Sequence, residues 1–408
     1  MKKCVVVGGG FAGLSAAVYL SKSGYHVELI EASPKLGGRA YSFTEESTGD
    51  VIDNGQHIMM GCYRETLNFF SLIGASEDVE TQKQLSIHFL KENFRIIPFI
   101  APSSPYPLNL LIALLQFKAI RFAERLNLLK FFLKIYFYDS NTLKKMTVMQ
   151  WLQQEHQSEK VIKSFWEILT VGALNTSIEK ASAKVFSDIV KKIFFRGTKA
   201  AAIVLPLSGL SEVYCKRAAI FIENRGGKIS VSEKAEEITI NDDKVISLKT
   251  NLRLIKEFDF VITAVPHYSL KKIGLAELIG ERNFTYSTIV SIHLWLTKNP
   301  FNEKFYGLID SPVHWIFNHG SYISLVVSDA DYLADTEKKK IFELAIKELE
   351  KFTPLKRDEI KHSKIIKEKR ATFVSSNDII LQRPVSKTKI KNLFFAGDWT
   401  DTGLPSTI

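Results

Sequence analysis

Apolar and polar positions at the start of the chain follow the order strand, turn, helix, strand. Residues 5–7 form an apolar run of the length expected for a buried strand, and they lead into a glycine-rich turn at residues 8–13. Apolar residues then recur over residues 14–20, and residues 27–30 have the pattern of a second strand. This order predicts the first unit of an α/β domain with a parallel sheet.

The rest of the chain alternates between helical and strand-like stretches. Residues 76–195 are predicted to be mostly helical, with prolines at residues 98–107 marking a loop. Two further helices are predicted over residues 211–224 and 338–351. Further strands are predicted over residues 237–240, 244–250, 258–264, 290–296, 321–327 and 392–395.

The turn at residues 8–13 contains the spacing G-x-G-x-x-G. Glycines at these positions allow a tight turn and the close approach of a pyrophosphate, and the following helix N-terminus faces the phosphates. An acidic residue about twenty positions further on can accept hydrogen bonds from a ribose hydroxyl. The residues predicted to bind a dinucleotide here are Gly8, Gly10, Phe11, Ala12, Gly13, Glu31 and Ala32.

The segment after Glu31 distinguishes between dinucleotides. It reads E-A-x-x-x-x-G-G-R, in which Gly38 lets the backbone pass close to a ligand and Arg39 can reach a phosphate. After a Rossmann-type start, this pattern resembles the flavin amine oxidases and polyene desaturases. The resemblance implies an FAD cofactor held in an extended conformation.

The C-terminal end carries a second part of this resemblance. The predicted strand at residues 392–395 is followed by Gly397 and Asp398, where the glycine allows close approach and the carboxylate can bind ribityl hydroxyls. The resemblance implies a helix that begins near residues 405–407, including Thr407, and points its N-terminus at the flavin. The related sequences continue past Ile408, so we expect either a shortened helix or a fragment.

Together these features predict an α/β fold with a Rossmann-like FAD-binding domain of the glutathione-reductase or amine-oxidase type. A chain of 408 residues has room for two or three domains. We expect a discontinuous FAD-binding domain and an inserted α+β substrate or cap domain. The first comprises residues 1–75, 196–266 and 371–408, and the second comprises residues 76–195 and 267–370.

The net charge of +10 is concentrated in one stretch. Residues 111–145 hold seven basic residues against two acidic ones, and they are rich in large apolar side chains. Such a helical segment can lie on an anionic membrane surface, or it can pack on the core with a solvated basic face. We therefore expect a cytoplasmic protein, either free or peripheral on the inner face of the cell membrane. No nucleic-acid-binding motif accompanies the charge, so no nucleic-acid partner is expected.

Cysteine content and apolar run length limit the alternatives. The three cysteines lie far apart and lack C-x-x-C spacing, which predicts neither a disulfide framework nor a metal site. No apolar run reaches about eighteen residues, so a membrane-spanning helix is not expected.

Narrower motifs point to one family. D-N-G-Q-H at residues 53–57, G-A-L-N-T at residues 172–176 and A-G-D-W-T-D-T-G-L-P-S-T-I at residues 396–408 resemble the squalene-associated FAD-dependent desaturases, now understood as hydroxysqualene dehydroxylases. The resemblance covers nearly the whole chain. It implies reduction of hydroxysqualene, a long-chain isoprenoid, to squalene for hopanoid synthesis. It further implies hydride transfer from reduced flavin to an allylic carbon, NADPH as the electron donor and other squalene-pathway enzymes as partners.

The candidate residues of the reaction each have two interpretations. Gln56 and His57 follow Gly55 at the expected flavin face, where His57 either donates a proton to the leaving oxygen or, with Gln56, only hydrogen-bonds the flavin. Asn175 either lines the substrate cavity or caps a helix. His293, Trp295 and Trp315 either wall an isoprenoid tunnel or pack in the core.

Two rival functions remain open from the sequence. The first keeps the fold and reverses the redox direction, as in a carotenoid-type polyene desaturase or a flavin amine oxidase. The second is a non-catalytic flavin-binding scaffold for squalene synthesis. The intact Gly8, Gly10, Gly13, Glu31 and Asp398 argue against a degenerate scaffold.

Overall fold

The computed structural model describes residues 1–407 of the chain. Its strands, numbered along the chain, are β1 (Lys3–Val7), β2 (His26–Ile30), β3 (Ser42–Thr44), β4 (Val51–Asp53), β5 (Met59–Met60), β6 (Val79–Thr81), β7 (Ser86–Lys91), β8 (Arg95–Ile100), β9 (Ile203–Pro206), β10 (Lys228–Ser230), β11 (Ala235–Asn241), β12 (Lys244–Thr250), β13 (Leu254–Ile255), β14 (Phe260–Thr263), β15 (Tyr286–Leu296), β16 (Phe305–Leu308), β17 (Trp315–Asn318), β18 (Tyr322–Val327), β19 (Ile360–Phe373) and β20 (Leu393–Phe395). Its α-helices are α1 (Phe11–Lys22), α2 (Arg64–Leu72), α3 (Leu108–Gln116), α4 (Phe122–Ile135), α5 (Ser140–Leu143), α6 (Val148–Gln154), α7 (Glu159–Val161), α8 (Glu167–Leu174), α9 (Ala183–Phe194), α10 (Thr198–Ala201), α11 (Arg217–Glu223), α12 (His267–Leu270), α13 (Ala276–Ile279), α14 (Lys338–Phe352) and α15 (Asn377–Gln382). Two π-helical segments, Ile162–Trp166 and Ser211–Lys216, run directly into α8 and α11.

A five-stranded parallel sheet in the order β10–β2–β1–β14–β20 carries the N-terminal motif. Along β1, Cys4 and Val6 pack with residues of α1 and α11, whereas Val5 and Val7 pack with residues of β11 and β12 on the other face. Both faces are covered, which explains why β1 is a continuous apolar run instead of an alternating one. The predicted α/β fold is confirmed by this sheet and its covering helices.

A second sheet of seven strands has the order β19–β15–β18–β17–β16–β7–β8. On one face, Val290, Ile292 and Leu294 of β15 pack in a single apolar cluster with α14. Residues at the alternate positions of β15 therefore point to the opposite face. The pairing of β15 with β19 shifts register at two places, between Ser287 and Ile289 and between Trp295 and Leu296.

Helices α3 to α9 enclose a separate core rich in aromatic side chains. Trp151, Trp166, Phe131 and Phe186 are fully buried there, and the partly buried Trp315 of the seven-stranded sheet packs against the same cluster. Helix α4 covers this core from outside. The helical region and the second sheet thus share one apolar interior.

The prediction that residues 76–195 are mostly helical is wrong for residues 79–100. These residues form β6 and the hairpin of β7 and β8, which completes the seven-stranded sheet. Pro98 lies within β8, the edge strand, where its missing N–H removes no hydrogen bond to a further strand. The proline signal is therefore wrong for Pro98 alone, because Pro102, Pro105 and Pro107 lie in the loop between β8 and α3, as predicted.

The predicted helix start near residues 405–407 is also wrong for the part that the structure describes. Pro405, Ser406 and Thr407 are neither helix nor strand, and Ile408, the last residue of the narrow C-terminal motif, lies outside the described residues.

Within residues 1–407, none of the helices combines the length and the apolar character needed to cross a membrane.

Candidate active site

The glycine loop, residues 8–13, joins β1 to α1 in a conformation that excludes side chains at two positions. Gly8 has a φ of +108°, and a Cβ there would lie 2.9 Å from the carbonyl oxygen of Ala264. A Cβ on Gly13 would lie 1.8 Å from the Gly8 carbonyl oxygen. Gly10 is the N-cap of α1, and no side chain in the described chain caps that helix end. The first amide groups of α1 are therefore available to an anion.

The first two residues of α1 contribute their backbone to this site. The Phe11 ring packs on Phe69 and Tyr214, with centroids 5.3 Å and 5.0 Å away. Ala12 follows it in the first turn and is half-buried. Neither side chain extends the site, so these two predicted cofactor residues would act through their N–H groups.

The segment after β2 packs directly against the glycine loop. The Gly37 amide donates to the Gly9 carbonyl over 2.9 Å, and a Cβ on Gly38 would lie 3.1 Å from the Gly10 Cα. The Glu31 carboxylate accepts hydrogen bonds from the amides of Gly9 at 2.6 Å and Ser33 at 2.7 Å. Glu31 is thereby held beside the loop, next to the exposed Ala32.

An ion pair joins the two ends of the chain at this site. Arg39 Nη2 lies 2.8 Å from Asp398 Oδ1, and Arg39 Nη1 donates to the Ala371 carbonyl over 3.0 Å. Burial opposes the charge of Arg39, but the Asp398 carboxylate more than offsets this and raises the Arg39 pKa. Asp398 Oδ2 is buried and accepts no hydrogen bond from any described residue. Gly397, at φ +146°, turns the chain into this position.

A small polar patch lies on the face of the seven-stranded sheet that points away from α14. We define it by Ser291 and His293 of β15 and Ser324 of β18, all of which are buried. His293 Nδ1 and Ser324 Oγ are 2.8 Å apart. Ser291 Oγ and His293 Nε2 are buried without a hydrogen-bond partner in residues 1–407. Burial lowers the pKa of His293 to about 4, although the nearby Asp53 backbone favours its charged form.

The D-N-G-Q-H segment lies against the polar patch. Asn54 anchors it, because its side chain accepts from the Tyr41 amide at 3.0 Å and donates to the Arg39 carbonyl at 2.9 Å. The position of a Cβ on Gly55 would be 3.7 Å from Ser291 Oγ. The Gln56 side-chain amide donates to Ser324 Oγ over 3.5 Å. The structure thus brings Gly55 and Gln56 to the patch, and Asn54 links them to Arg39.

Asp53 begins this segment, and its carboxylate is hydrogen-bonded within the protein. Its Oδ1 accepts from Ser42 Oγ at 2.6 Å and from the Leu210 amide at 3.0 Å, at the start of the second π-helical segment. Burial raises the Asp53 pKa to about 6, and these two hydrogen bonds limit the rise.

His57 lacks the near-neutral pKa on which its predicted role as a proton donor depends. Burial lowers the His57 pKa to about 4, so the imidazole is neutral at neutral pH and is not a ready acid. Its Nε2 atom is buried and has no hydrogen-bond partner in the part of the chain described. A neutral imidazole can still donate one hydrogen bond, and in that form a role for His57 stays a prediction.

Asn175 and Thr407 are committed to contacts within the protein. Asn175 ends α8 in a left-handed conformation, at φ +46°. Its amide nitrogen donates to Ser287 O at 3.3 Å and Thr372 Oγ1 at 3.0 Å, and its oxygen accepts from the Asp329 amide at 2.7 Å. Asn175 is therefore a helix C-cap that ties α8 to the second sheet, which agrees with the second of its two interpretations.

Thr407 donates its hydroxyl to the Ala173 carbonyl over 2.7 Å. The contact fastens the C-terminal segment to α8. This hydroxyl is thus occupied by the protein, and only the backbone of Thr407 could serve a cofactor.

Trp295 and Trp315 lie on the same sheet face, on opposite sides of the polar patch. The Trp295 indole stacks on Tyr322 at 5.1 Å and donates to Asp50 Oδ2 at 2.6 Å. Trp315 sits across the sheet beside α8, where a Cβ on Gly172 would lie 3.5 Å from its ring. Register pairs Ser291 with Val326 and Val326 with Trp315, which puts the apolar flank next to the patch.

Comparison with known proteins agrees with this arrangement. Residues 11–408 match the family described as flavin containing amine oxidoreductase, which is nearly the whole chain. The chain belongs to this family. It is accordingly an FAD-dependent oxidoreductase, and the predicted flavin cofactor is confirmed at that level.

Relatives and solved structures refine the comparison. A hydroxysqualene dehydroxylase of Zymomonas mobilis is 26% identical over an alignment of 409 positions that covers 99% of this chain and 94% of the relative. A 15-cis-phytoene desaturase of Arabidopsis thaliana is 22% identical and covers 98% of this chain and 76% of its own. The crystal structure of an oxidoreductase from Methanosarcina mazei has a TM-score of 0.71 at 16% identity, covering 98% of this chain and 95% of that one. The predicted family resemblance is therefore confirmed.

The glycine loop and the ion pair of Arg39 with Asp398 fit an FAD molecule. The uncapped N-terminus of α1 and the glycine loop suit a pyrophosphate, because nothing larger than hydrogen projects from Gly8 or Gly13. The unpartnered Asp398 oxygen is a buried acceptor that a ligand hydroxyl can satisfy. When bound, the flavin supplies the redox chemistry, and these residues supply its binding and orientation.

Sequence reasoning missed two members of the polar patch. Ser291 and Ser324 were not singled out, and His293 was considered only as a wall residue. A signal exists in hindsight: Ser291 and His293 are the polar residues of an otherwise apolar stretch at residues 289–296, and Ser324 interrupts the apolar run of β18. The pairing that joins them depends on sheet register, which no local pattern reveals.

Proposed function

We propose that this FAD-dependent oxidoreductase reductively removes the hydroxyl group of hydroxysqualene, with NADPH as the electron donor. The reaction converts hydroxysqualene, NADPH and a proton into squalene, NADP⁺ and water. Support comes from the full-length similarity to the dehydroxylase of Zymomonas mobilis and from the chemistry of the sheet face beside Gly55.

The polar patch is the observation that carries this proposal. Hydroxysqualene is a long hydrocarbon with a single hydroxyl, and the sheet face offers a few polar groups between aromatic and aliphatic flanks. Ser291, His293 and Ser324 form that polar centre, and Trp295 and Trp315 lie on either side. Buried polar atoms without partners are costly, so such a patch suits a ligand that brings one polar group to it.

The proposal uses one of the two directions that the hydrogen bonds of the patch permit. In it, Ser324 Oγ accepts from the Gln56 amide and donates its hydroxyl proton to His293 Nδ1. His293 then carries its proton on Nε2, the atom that lacks a partner among the described residues. A neutral imidazole with its pKa near 4 would act there as a hydrogen-bond donor to the substrate oxygen.

In this proposal the chain holds and polarises the carbon–oxygen bond that breaks. His293 Nε2–H and the Ser291 hydroxyl bind the departing oxygen, while the apolar flanks hold the hydrocarbon and exclude water. When bound in its reduced form, FAD would supply the hydride chemistry at this site, and the proton that completes the water molecule would come from bulk solvent outside the apolar flanks.

A polyene desaturase is the second candidate, favoured by the extent of the aromatic and aliphatic sheet face and by the similarity to the Arabidopsis thaliana desaturase. A hydrocarbon substrate without a polar atom would leave Ser291 Oγ and His293 Nε2 unsatisfied. This is the physical ground on which we rank the dehydroxylase first.

The test is an anaerobic incubation of purified, FAD-loaded protein with hydroxysqualene and NADPH, analysed by mass spectrometry. We expect squalene to form in step with NADPH oxidation and to be absent when NADPH is omitted. Phytoene with an added electron acceptor is the parallel incubation for the rival. Untouched hydroxysqualene together with desaturated phytoene would reverse the ranking.

A further inference from the structure

Helix α4 exposes apolar side chains along its outer face. Phe122, Leu126, Leu133 and Phe137, with exposed fractions of 62%, 47%, 53% and 83%, are separated by four, seven and four positions. This spacing puts them in one row along α4 and the turn that follows it, and we call this row the apolar stripe. The inner face of α4 is already occupied, because Leu128, Phe131, Phe132 and Ile135 are buried in the aromatic core.

The stripe is not explained by the packing of an ordinary surface helix. Helix α14 is of similar length and also covers an apolar core, yet its exposed positions are all charged. These are Lys338, Lys339, Lys340, Glu343, Lys347 and Glu350. A helix needs one apolar face to pack, so the second apolar face of α4 points to a partner outside the chain.

Residues 111–145, which carry the stripe, hold seven cations, one of which forms an ion pair. Lys130 and Lys134 line the shallow apolar groove between Leu126, Leu133 and Phe137. Lys134 pairs with Glu155 at 2.9 Å. Within residues 1–407 no ion pair involves the other six, which are Lys118, Arg121, Arg125, Lys130, Lys144 and Lys145.

The acids of the same segment are used inside the protein. Glu124 accepts from the Arg121 amide at 2.7 Å and from Ser158 Oγ at 2.8 Å. Asp139 caps α5 by accepting from the amides of Asn141 and Thr142. Both carboxylates keep their negative charge, and seven basic residues against these two acidic ones leave residues 111–145 with a net charge of +5.

We propose that the apolar stripe of α4 docks this protein on an anionic lipid bilayer. The apolar side chains would enter the boundary between head groups and acyl chains, and the lysines would lie at the level of the lipid phosphates. A second copy of the chain is a poorer occupant, because packing stripe on stripe would bring Lys130 and Lys134 against their own counterparts. The bilayer satisfies both the apolar and the positive character of the face.

The position of α4 gives this docking a consequence for the candidate site. The buried face of α4 belongs to the same apolar core as Trp315 and Ile58, which lie beside the polar patch and the D-N-G-Q-H segment. A bilayer under α4 would therefore be separated from the sheet face only by an apolar interior. The docking itself does not depend on which reaction the site performs.

The experiment is co-sedimentation of the FAD-loaded protein with vesicles at low salt. We expect binding to vesicles of phosphatidylglycerol and phosphatidylcholine in equal parts, and much weaker binding to phosphatidylcholine alone. The double variant Leu133→Ser, Phe137→Ser should lower the partition coefficient at least about tenfold. Lys130→Gln should lower it about fivefold on the anionic vesicles only.

Leu381→Ser is the matched control, because Leu381 is a 76% exposed leucine on α15. It should leave vesicle binding unchanged, and thermal melts should show all variants folded, since every substituted side chain is exposed. As a second readout, Phe137→Trp should show a blue shift of its added emission with anionic vesicles. Absent binding of the unmodified protein, equal binding of the stripe variants, or a dimer that the stripe variants dissociate would each overturn the proposal.

Discussion

The glycine loop and the polar patch serve one site but are built in opposite ways. The loop is contiguous in sequence, and its shape requires glycines that have no side chain: a Cβ at Gly13 would not fit. The patch depends on its side chains, and its contacts bring Gln56, His293 and Ser324 together from three distant stretches of the chain. The comparison teaches that a sequence motif records the demands of backbone geometry, whereas a constellation of side chains is fixed only by the tertiary fold.

The first prediction breaks the loop. Gly13→Ala should abolish FAD binding, because the new Cβ would lie 1.8 Å from a backbone oxygen that cannot move without separating β1 from α1. The measurement is the flavin absorbance of the purified variant after incubation with excess FAD, together with its melting temperature.

Gly172→Ala is the control for that variant. Gly172 lies in α8, and a Cβ there would make an ordinary 3.5 Å contact with Trp315 of β17, so flavin binding should persist. A Gly13→Ala protein with normal flavin content would show that the loop geometry described above is wrong.

The second prediction concerns a variant that removes a side chain of the patch and leaves the glycine loop unchanged. His293→Ala should keep its flavin but lower turnover of hydroxysqualene about a hundredfold, because the donor at Nε2 is lost. The measurement is kcat by mass spectrometry, with flavin absorbance recorded on the same sample.

His293→Asn is the matched variant, since it keeps an atom able to bond Ser324 but has none at the Nε2 position. We expect it to fold as well as the unmodified protein and to be nearly as slow as His293→Ala. Undiminished turnover in either variant would remove His293 from the reaction.

The third prediction uses pH and has the smallest effect. The folded protein holds the pKa of His57, His293 and His314 near 4, below the ordinary value of 6.5, because all three are desolvated. Between these values the unfolded chain binds more protons, so stability falls as pH falls from about 6.5 to 4. For the fully buried His293 the loss is on the order of 3 kcal/mol at most.

Asp53 opposes this trend, because its pKa is raised to about 6 and the folded state gains a proton there first. Burial also raises the pKa of Glu167 and Asp329, but it lowers the pKa of a fourth histidine, His319, to about 4. The four histidines should still lower the melting temperature between pH 7 and pH 5. His293→Asn should flatten the dependence, and an equal slope in that variant would show that His293 titrates normally.

The dinucleotide half of the site could be predicted from the sequence for a physical reason. A strand, a glycine-rich turn, a helix and a second strand are local, and Glu31 lies at the end of that second strand. Arg39 and Asp398 were each expected at the flavin, but their mutual ion pair across 359 positions was not, because no local signal encodes it.

Elsewhere the sequence misled in two recognisable ways. The sequence predicts residues 79–100 as helical because short apolar runs fit either period, and Pro98 has the form of a loop signal although it lies in an edge strand. For Asn175 and His57 the residue type leaves two interpretations open, and the tertiary environment separates them: Asn175 makes its hydrogen bonds within the protein, and burial lowers the His57 pKa to about 4.

The two register shifts that bracket the patch in β15 have a practical consequence. They fall at Ser287–Ile289 and at Trp295–Leu296, just outside Ser291 and His293. A residue added beyond either shift can be taken up there, whereas one added between them would rotate the strand and turn Ser291 and His293 towards α14. The ends of β15 are therefore tolerant points for loop grafting or library design, and the seven residues between the shifts, 289–295, form a segment whose length is fixed.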